Sequence, residues 1–353
     1  MSTGLLSSEL EQMIARFASC RIAVLGDFFL DRYLDIDPGL EEPSLETGQP
    51  AHQVTAVRNY PGAAGTVVSN LSALQTGGLH AIGFTGDDGE AFELRRGLAK
   101  LNCSTDHLHT SAARFTPTYL KPRDMTIRGL GGEHSRIDTQ NRLPTPTDIQ
   151  QAIIDSLATV VDHVDAVIVL DQVEAANCGA ITAAVRDRVA ELALNHPHVT
   201  FWADSRRRIH DYRNVIIKPN EFEAVGREDP RLGDAVDVDE LRAAGSQLRA
   251  TTNAPLFITR GEDGMLISDP QWTALPGVRL TGETDTTGAG DSATAGCVLA
   301  LCAGATFAQA AVIGNLVASI TVEQLGTTGT ASPDELVPRL KLWRQQNELA
   351  PND

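Results

Sequence analysis

The amino-acid sequence predicts an α/β fold: a three-layer α/β/α sandwich with a mostly parallel central sheet and a small β lid. Short β-branched runs alternate with helical patterns, and each run ends in Gly, Asp or Asn. The runs are 21–26, 79–86, 166–171, 199–204, 214–220 and 255–261, with helical stretches near 62–76, 89–101, 147–161, 174–194 and 237–250. Continuous apolar strands separated by helices are typical of a parallel sheet covered on both faces. Ligands are expected beyond the carboxyl ends of such strands, where these polar residues lie.

Two segments break this alternation. Residues 31–60 and 111–139 contain Pro, Gly and alternating strand-like patches instead of helices. Two β insertions that leave the same domain can pair as a small sheet, and we interpret them as a lid over the site. The alternative is two unrelated surface loops. The predicted main domain therefore comprises residues 1–30, 61–110 and 140–353.

Composition excludes several classes of partner. The formal net charge is -17, with 46 acidic against 29 basic residues, and the longest basic run is Arg206-Arg207-Arg208. This argues against nucleic-acid or anionic-membrane binding, although backbone N–H groups and a few arginines can still build a small anion site. The five cysteines lack C-x-x-C spacing, and the N-terminus lacks a signal-peptide pattern. Both observations predict a reduced, cytoplasmic protein.

The stretch ETDTTGAGDSATAG (283–296) carries the strongest chemical signal. The run Gly288-Ala289-Gly290 permits an unusual backbone path and leaves N–H groups free at a helix start, where an anion can bind. Asp291 lies in the first turn. It is either a helix-start aspartate that gains about 0.3–1 kcal/mol from the helix dipole, or a general base beside an anion hole in a phosphoryl transfer.

Two other strand ends carry polar residues that suit phosphate binding. In KPNEFEA (218–224), Asn220 can contact phosphate and Glu223 can orient water around Mg²⁺, but the same spacing suits a capping box. In ITRGEDG (258–264), Thr259, Gly261 and Gly264 suit a nucleotide phosphate, but equally a plain hairpin turn.

Other catalytic machinery is missing from the sequence. There is no G-x-x-x-x-G-K-[ST] motif, no H-R-D loop, and the chain has only four lysines. Residues 290–294, GDSAT, lack the last glycine of the elbow G-x-S-x-G, which argues against a serine hydrolase.

The motif DTTGAGDS (285–292) resembles the C-terminal signature of the ribokinase-like (PfkB) carbohydrate kinases. The resemblance extends over roughly residues 20–345 and includes PGAAGTVVSNLSAL (61–74) and TRGEDG (259–264). Within the family, the motifs GDFFLDRY (26–33), EHSRID (133–138) and QLGTTGTASPDEL (324–336) are most similar to the kinase domain of the bifunctional heptose 7-phosphate kinases. Their nucleotidyltransferase domain is not expected here, because the chain ends about where the kinase domain would.

The resemblance implies a role for each matching residue. Asp291 would be the catalytic base, with the amides of Gly288, Ala289 and Gly290 as the anion hole. The sugar would be bound by Asp31, with Asp27 nearby, and approached by the backbone of Gly62 and Ala63. The phosphates, Mg²⁺ and ATP would be bound by Asn220, Glu223, Thr259, Gly261, Gly264 and Asn315. Asp285 and Thr287 match positions that hold a monovalent cation such as K⁺ in several relatives.

The departures from the family pattern fall on the sugar side. The family run usually is G-G-x-x-N, whereas this chain has Ala63 at the second glycine and Thr66 at the asparagine. Arg123, Arg128 and Arg136 in the second lid segment are candidates for binding a phosphate already on the sugar; the alternative is ordinary solvent-facing charge.

The resulting hypothesis is an ATP-dependent kinase of a sugar or sugar phosphate, acting on a small molecule and not on nucleic acid or membrane. Two alternatives stay open: a nucleoside kinase of the same fold, and a nucleotide- or sugar-binding regulator without turnover. A homodimer formed through the lid is also expected, because lid strands often pair between subunits in relatives.

Overall fold

The computed structural model describes residues 5–127, 129–231, 233–269 and 271–347. Within them the strands are β1 (Arg21–Gly26), β2 (Phe28–Ile36), β3 (Glu42–Pro43), β4 (Pro50–Ala51), β5 (Val54–Ala63), β6 (Gly78–Gly86), β7 (Cys103–Ser111), β8 (Thr118–Asp124), β9 (Ile137–Thr139), β10 (Ala166–Asp171), β11 (Thr200–Ser205), β12 (Ile216–Ile217), β13 (Leu256–Thr259), β14 (Met265–Ser268) and β15 (Trp272–Leu275). The helices are α1 (Ser7–Phe17), α2 (Ala64–Ala73), α3 (Gly89–Lys100), α4 (Thr147–Val160), α5 (Ala183–Asn195), α6 (Glu221–Ala224), α7 (Val238–Thr252), α8 (Ala289–Cys302), α9 (Phe307–Thr321) and α10 (Pro333–Gln346).

The central sheet confirms the predicted α/β architecture. Nine strands among the described residues follow the order β15-β14-β13-β12-β11-β10-β1-β6-β7, and all neighbours from β13 to β7 are parallel. The two remaining pairings of this sheet, β13 with β14 and β14 with β15, are antiparallel, so β14 alone among these nine strands runs in the opposite direction. The carboxyl ends of the parallel strands therefore meet at one edge, where the polar residues of the motifs lie.

Alternation along β1 shows how the sheet makes two cores. Ile22 and Val24 belong to a cluster with α1, α2, α8, α9 and α10, whereas Ala23 and Leu25 belong to a cluster with α4, α5 and α7. All four side chains are fully buried. Burial on both faces of β1 produces the three layers.

A second sheet, in the order β5-β2-β8-β9, is built from residues 28–63 and 118–139. It is held to α3 by an Arg32–Glu90 ion pair at 2.8 Å and an Asn59–Glu93 hydrogen bond at 3.0 Å. A Cβ built on Gly65 would lie 2.4 Å from the ring of Pro61, so the turn from β5 into α2 packs closely. No helix in the described ranges is long and apolar enough to cross a bilayer.

Two predicted elements are shorter than the sequence suggested. The strand predicted over 214–220 comprises only β12. The helix predicted over 174–194 begins at Ala183, and the side-chain hydroxyl of Thr182 is its N-terminal cap. The preceding loop is not helical because the N–H groups of Gln172, Val173 and Ala180 donate to the Asp27 carboxylate. A side-chain acceptor has replaced the helical one.

The turn from β5 into α2 contains a backbone conformation that disfavours its own side chain. Ala63 has φ 51° and ψ -116°, in the region that favours glycine. A non-glycine residue held there costs on the order of 1–3 kcal/mol. The family pattern described above has glycine at this position, so the methyl group of Ala63 is a departure from that pattern.

We expect Ala63→Gly to stabilise the protein by about 1 kcal/mol, because relief of the strain exceeds the added flexibility of the unfolded chain. Ala64→Gly is the matched control: the neighbouring alanine is fully buried within α2, and its loss should destabilise by about 1–2 kcal/mol. Urea unfolding measures both. A loss of stability in both variants would contradict the strain.

Candidate active site

The start of α8 presents free amides at the carboxyl edge of the sheet. Gly288 caps the helix in the left-handed conformation with φ 78°. Among the described residues, the N–H groups of Gly288, Gly290 and Asp291 have no acceptor, whereas Ala289 N–H donates to the Thr286 carbonyl at 3.1 Å. The expected set of 288–290 is therefore corrected: the turn that begins α8 uses the Ala289 amide, and the Asp291 amide is available in its place. Unpaired amides at a helix start bind anions.

A buried ion pair lies under this turn. Asp204 ends β11 and Lys218 follows β12, and their Oδ2 and Nζ atoms are 2.7 Å apart. A Cβ on Gly290 would lie 3.5 Å from Lys218 Nζ, so the ammonium group is adjacent to the free amides. Burial alone would lower the pKa of Lys218, but Asp204, Glu223 and Asp291 raise it and keep the lysine charged. Neither member of the pair was predicted from the sequence.

Asp291 has the electrostatics of a base. Its side chain is half-buried, and burial together with the neighbouring Asp204 charge raises the pKa of Asp291 to about 7. Lys218 and Arg206 oppose this rise. A carboxylate whose pKa lies near neutrality can both accept a proton and release it. Its position in the first turn of α8 also fits the alternative of an aspartate stabilised by the helix dipole.

Asn220 and Glu223 form the capping box that the sequence allowed. The Asn220 side chain accepts from the amides of Phe222 and Glu223, and Glu223 Oε2 accepts from Asn220 N–H at 2.8 Å. Both residues also line a cavity of about 380 Å³. Burial, with Asp204 nearby, raises the pKa of Glu223 to about 7. The two interpretations coexist, because the cap fixes side chains that still face the cavity.

A second cavity, of about 720 Å³, is lined by Gly261, Ala289 and Asn315. Asn315 donates to the carbonyls of Leu275 and Pro276 at 3.2 Å, which fixes the loop after β15.

The glycine loop after β13 flanks this cavity. Thr259 is bridged to Asn220 across neighbouring strands. Gly264 has φ 83°, and a Cβ there would meet the Leu275 carbonyl at 2.3 Å. Gly264 is therefore required for close packing of the loop.

Asp285 holds a loop beside α8. One oxygen of its buried carboxylate accepts from Thr287 N–H at 3.0 Å, and the other from Gly326 N–H at 3.1 Å. Both amides fix the path of the chain into the Gly288 turn.

Asp31 lies in β2, a strand of the second sheet. Its side chain is only 7% exposed, and its Oδ1 atom has no hydrogen-bond partner in the described part of the protein. Oδ2 lies 3.5 Å from Nζ of Lys121, which also donates to Tyr33 at 3.2 Å. A Cβ on Gly62 would meet the carboxylate at 2.9 Å, which explains the glycine. Buried polar atoms normally have a hydrogen-bond partner, so Oδ1 has the capacity to accept a hydrogen bond from a bound ligand.

Asp27 and Thr66 lie near this end in different roles. The Asp27 carboxylate accepts three backbone N–H groups of the loop after β10, at 2.6 to 3.0 Å, so it fixes that loop. Thr66 is buried, and its methyl group would be 3.3 Å from a Cβ on Gly288. Thr66 thus lies directly beside the amide turn.

The lid arginines differ in their surroundings. Arg123 donates to the carbonyls of Gly326 and Gly129, at 3.3 and 2.8 Å. Arg136 makes two hydrogen bonds to Asp138 and lies 4.0 Å from the ring centroid of Tyr119. Arg128 lies outside the described residues. Both described arginines already have partners, so neither is a free cation at the sugar end.

The three-layer sheet with a second small sheet over its carboxyl edge is the fold of the ribokinase-like carbohydrate kinases. The pattern of the pfkB family carbohydrate kinases matches residues 28–335. Because this match spans most of the sequence, the chain belongs to the PfkB family of carbohydrate kinases.

Curated relatives point to one branch of that family. The bifunctional protein HldE of Stutzerimonas stutzeri (strain A1501) is 30% identical over 327 residues, which cover 90% of this chain and 63% of that protein. HldE of Pseudomonas syringae pv. syringae (strain B728a) is 29% identical, with the same coverage. The chain thus spans less than two thirds of the length of these relatives.

Solved structures share the fold at lower identity. Ribokinase from Thermotoga maritima superposes with a TM-score of 0.62 at 18% identity, over 91% of this chain and 99% of that one. Ribokinase from Arabidopsis thaliana complexed with ribose and ATP gives 0.62 at 15%, over 92% and 99%. Phosphofructokinase-2 from Escherichia coli in complex with potassium gives 0.65 at 16%, over 93% and 99%.

The Lys218–Asp204 pair yields a test of its own. We expect Lys218→Met or Asp204→Asn alone to cost about 3–5 kcal/mol, because each leaves the other buried charge without its partner. The double variant should recover most of this loss, since neither charge then remains. Chemical unfolding of the three variants provides the measurement. Additive losses in the double variant would show that the pair does not act as a unit.

Proposed function

We propose that the protein transfers the γ-phosphoryl group of ATP to a hydroxyl of a sugar or sugar phosphate. The observation that carries this proposal is the arrangement at α8: a half-buried Asp291 with a pKa near 7 beside three free amides and a buried lysine. A base and an anion site in contact are what transfer to a hydroxyl requires. A binding protein without turnover has no need of the base.

In the proposed reaction, Asp31 holds the acceptor by its unpartnered oxygen and Asp291 removes the proton of the reacting hydroxyl. The hydroxyl oxygen forms a bond to the γ-phosphorus while the bond from that phosphorus to the β-γ bridging oxygen breaks. ADP leaves with the electron pair, and the proton stays on Asp291. The amides of Gly288, Gly290 and Asp291 would hold the charge on the transferring group.

The nucleotide can be assigned to residues at the other strand ends in the same way. We assign its phosphates to Asn220, Glu223, Thr259 and Gly261, and its base to the 720 Å³ cavity with Asn315. Support comes from the Arabidopsis ribokinase, whose structure contains ribose and ATP. Gly264 is left as a packing residue of the loop.

Mg²⁺ fits the phosphate side. Mg²⁺ usually keeps several waters and is held by one or two carboxylates together with substrate phosphates. Glu223 has one oxygen outside its cap and would hold that ion through water, where it would neutralise phosphate charge. A monovalent cation would be held near Asp285 and Thr287. The Asp285 carboxylate already accepts hydrogen bonds from two backbone amides.

A sugar of the heptose 7-phosphate type is the acceptor that the relatives favour, because HldE proteins are the curated relatives reported above. Phosphorylation of D-glycero-β-D-manno-heptose 7-phosphate, fructose 6-phosphate, ribose and adenosine should be compared by ADP release. The heptose phosphate should give the highest kcat/KM. Preference for adenosine would favour a nucleoside kinase, and no turnover with any acceptor would overturn the proposal.

A homodimer through the second sheet is part of this proposal. The exposed apolar side chains Val54, Val57 and Ile137 on that sheet support it, with 44%, 51% and 60% of their surface accessible.

Asp291→Asn should lower kcat by at least about a thousandfold, since both the base and its charge are lost. ATP binding should change little, because the free amides remain. Steady-state kinetics on the best acceptor, with calorimetric titration of ATP, separate the two effects. Wild-type turnover in this variant would refute the base.

The pKa of Asp291 near 7 also predicts the pH dependence of kcat/KM. The base must be ionised, so activity should be full above about pH 8 and fall about tenfold per unit below pH 7. Glu223 has a pKa in the same range, which can steepen this fall. A profile measured from pH 5.5 to 9, with circular dichroism to verify folding, tests it. A flat profile down to pH 5.5 would show that no group with this pKa acts as the base.

A further inference from the structure

The basic run Arg206-Arg207-Arg208 has two members whose side chains are engaged in structure. Arg208 binds the Asp171 carboxylate and the carbonyls of Val173 and Glu174. It thereby closes the loop after β11 onto the loop after β10. A guanidinium group with this many hydrogen-bond partners is held in one position.

Arg207 is tied to the protein surface in a different direction. Its guanidinium lies 3.2 Å from a Glu174 oxygen and 3.4 Å from Asp229, and it donates to the Glu228 carbonyl at 3.2 Å. Its charge is therefore matched by nearby carboxylates.

Arg206 is different. Its backbone is fixed, because its N–H donates to the Asp171 carbonyl at 3.1 Å and the preceding Ser205 hydroxyl donates to the Asp171 carboxylate at 2.8 Å. Its side chain is 53% exposed, and its nearest acid in the described residues is Glu174 at 3.8 Å. Glu174 is the same carboxylate that Arg207 approaches more closely. A well-anchored backbone thus presents a guanidinium group without a committed partner.

The place of Arg206 is the phosphate side of the cleft. It lines the 380 Å³ cavity together with Asn220 and Glu223. Its charge lowers the pKa of Glu223 and of Asp291, and also that of Tyr119 on the second sheet. The guanidinium group therefore acts electrostatically on the base, on the phosphate-side carboxylate and on the lid.

We propose that Arg206 is a catalytic residue that binds the transferring phosphoryl group during the reaction. This inference rests on the proposed function. Negative charge accumulates on the phosphoryl oxygens between the acceptor and ADP, and a planar guanidinium group can bind two of them at once. Lys218 cannot move to follow them, because it is buried and bound to Asp204. Arg206 has an exposed side chain that lines the cavity on the phosphate side and can move to follow them.

Arg206→Met tests this role, with Arg207→Met as the matched control for charge and length. Removal of an arginine that binds the transferring group typically lowers kcat by 10³–10⁵. We expect Arg206→Met to lower kcat by at least about 100-fold while the KM for ATP changes less than about threefold. Arg207→Met should stay within about threefold of wild type, and Arg206→Lys should recover part of the loss.

Chemical rescue gives a readout that a structural role would not move. Guanidinium ion at non-denaturing concentration should increase kcat of Arg206→Ala and leave Arg207→Ala unchanged. The same assays must include a free sugar and its phosphorylated form, since a phosphate on the acceptor offers similar chemistry.

Three results would overturn the inference. The first is turnover near wild type in Arg206→Met, and the second is an equal loss in Arg207→Met. The third is a loss confined to the phosphorylated acceptor, expressed as a higher KM, which would assign Arg206 to the acceptor phosphate. An inactive wild-type protein would instead overturn the proposed function itself, and this inference with it.

Discussion

The buried Lys218–Asp204 pair is the interaction on which the electrostatics of the cleft depend. Three carboxylates, those of Asp204, Glu223 and Asp291, lie in a region where burial disfavours charge, and Lys218 acts on all of them. Even with this lysine, the pKa of Asp291 is raised to about 7. The protein thus places more negative than positive fixed charge at its anion site. Binding of phosphate there needs further cations, which a Mg²⁺-bound nucleotide and Arg206 would supply.

The acidic residues of the candidate site divide into two groups by what they bind. Asp27, Asp171 and Asp285 accept hydrogen bonds from loops of their own chain. Asp31 has one carboxylate oxygen without a hydrogen-bond partner. The pKa of Asp291 is raised, and no backbone hydrogen bond to its carboxylate opposes this rise. Loops held by charged acceptors lose little freedom when a ligand arrives, because their order is already part of the folded state. The loops held by Asp27, Asp171 and Asp285 would therefore keep the surroundings of Asp31 and Asp291 ordered before a ligand binds.

Much of this could be predicted from the sequence, because the signals are local. Alternation of β-branched runs with helices predicts the parallel sheet, and glycines before Asp291 predict a helix start with free amides. Pairings between distant strands leave no such signal. Asp27 and Asp31 look equivalent in GDFFLDRY, yet one faces the loop after β10 and the other faces Lys121 of β8. Lys218 was missed because its partner Asp204 lies on the neighbouring strand β11 and the pairing leaves no local motif. Arg206 was missed because its place beside Asn220 and Glu223 depends on the fold.

The proposed acceptor site around Asp31 combines two features that would together restrict which acceptor binds. Ala63 keeps a methyl group in a conformation that suits glycine, one residue from the Gly62 that approaches Asp31. Lys121, one of four lysines in the chain, is only 7% exposed and lies against the same aspartate. Burying a lysine is costly unless its hydrogen bonds are satisfied, and Tyr33 and Asp31 use only part of its capacity. A hydroxyl-rich acceptor that donates to Asp31 and accepts from Lys121 would satisfy both, whereas an analogue lacking either hydroxyl would leave a buried hydrogen-bonding atom without a partner. Discrimination at this end would therefore follow from the cost of an unsatisfied buried polar atom more than from shape.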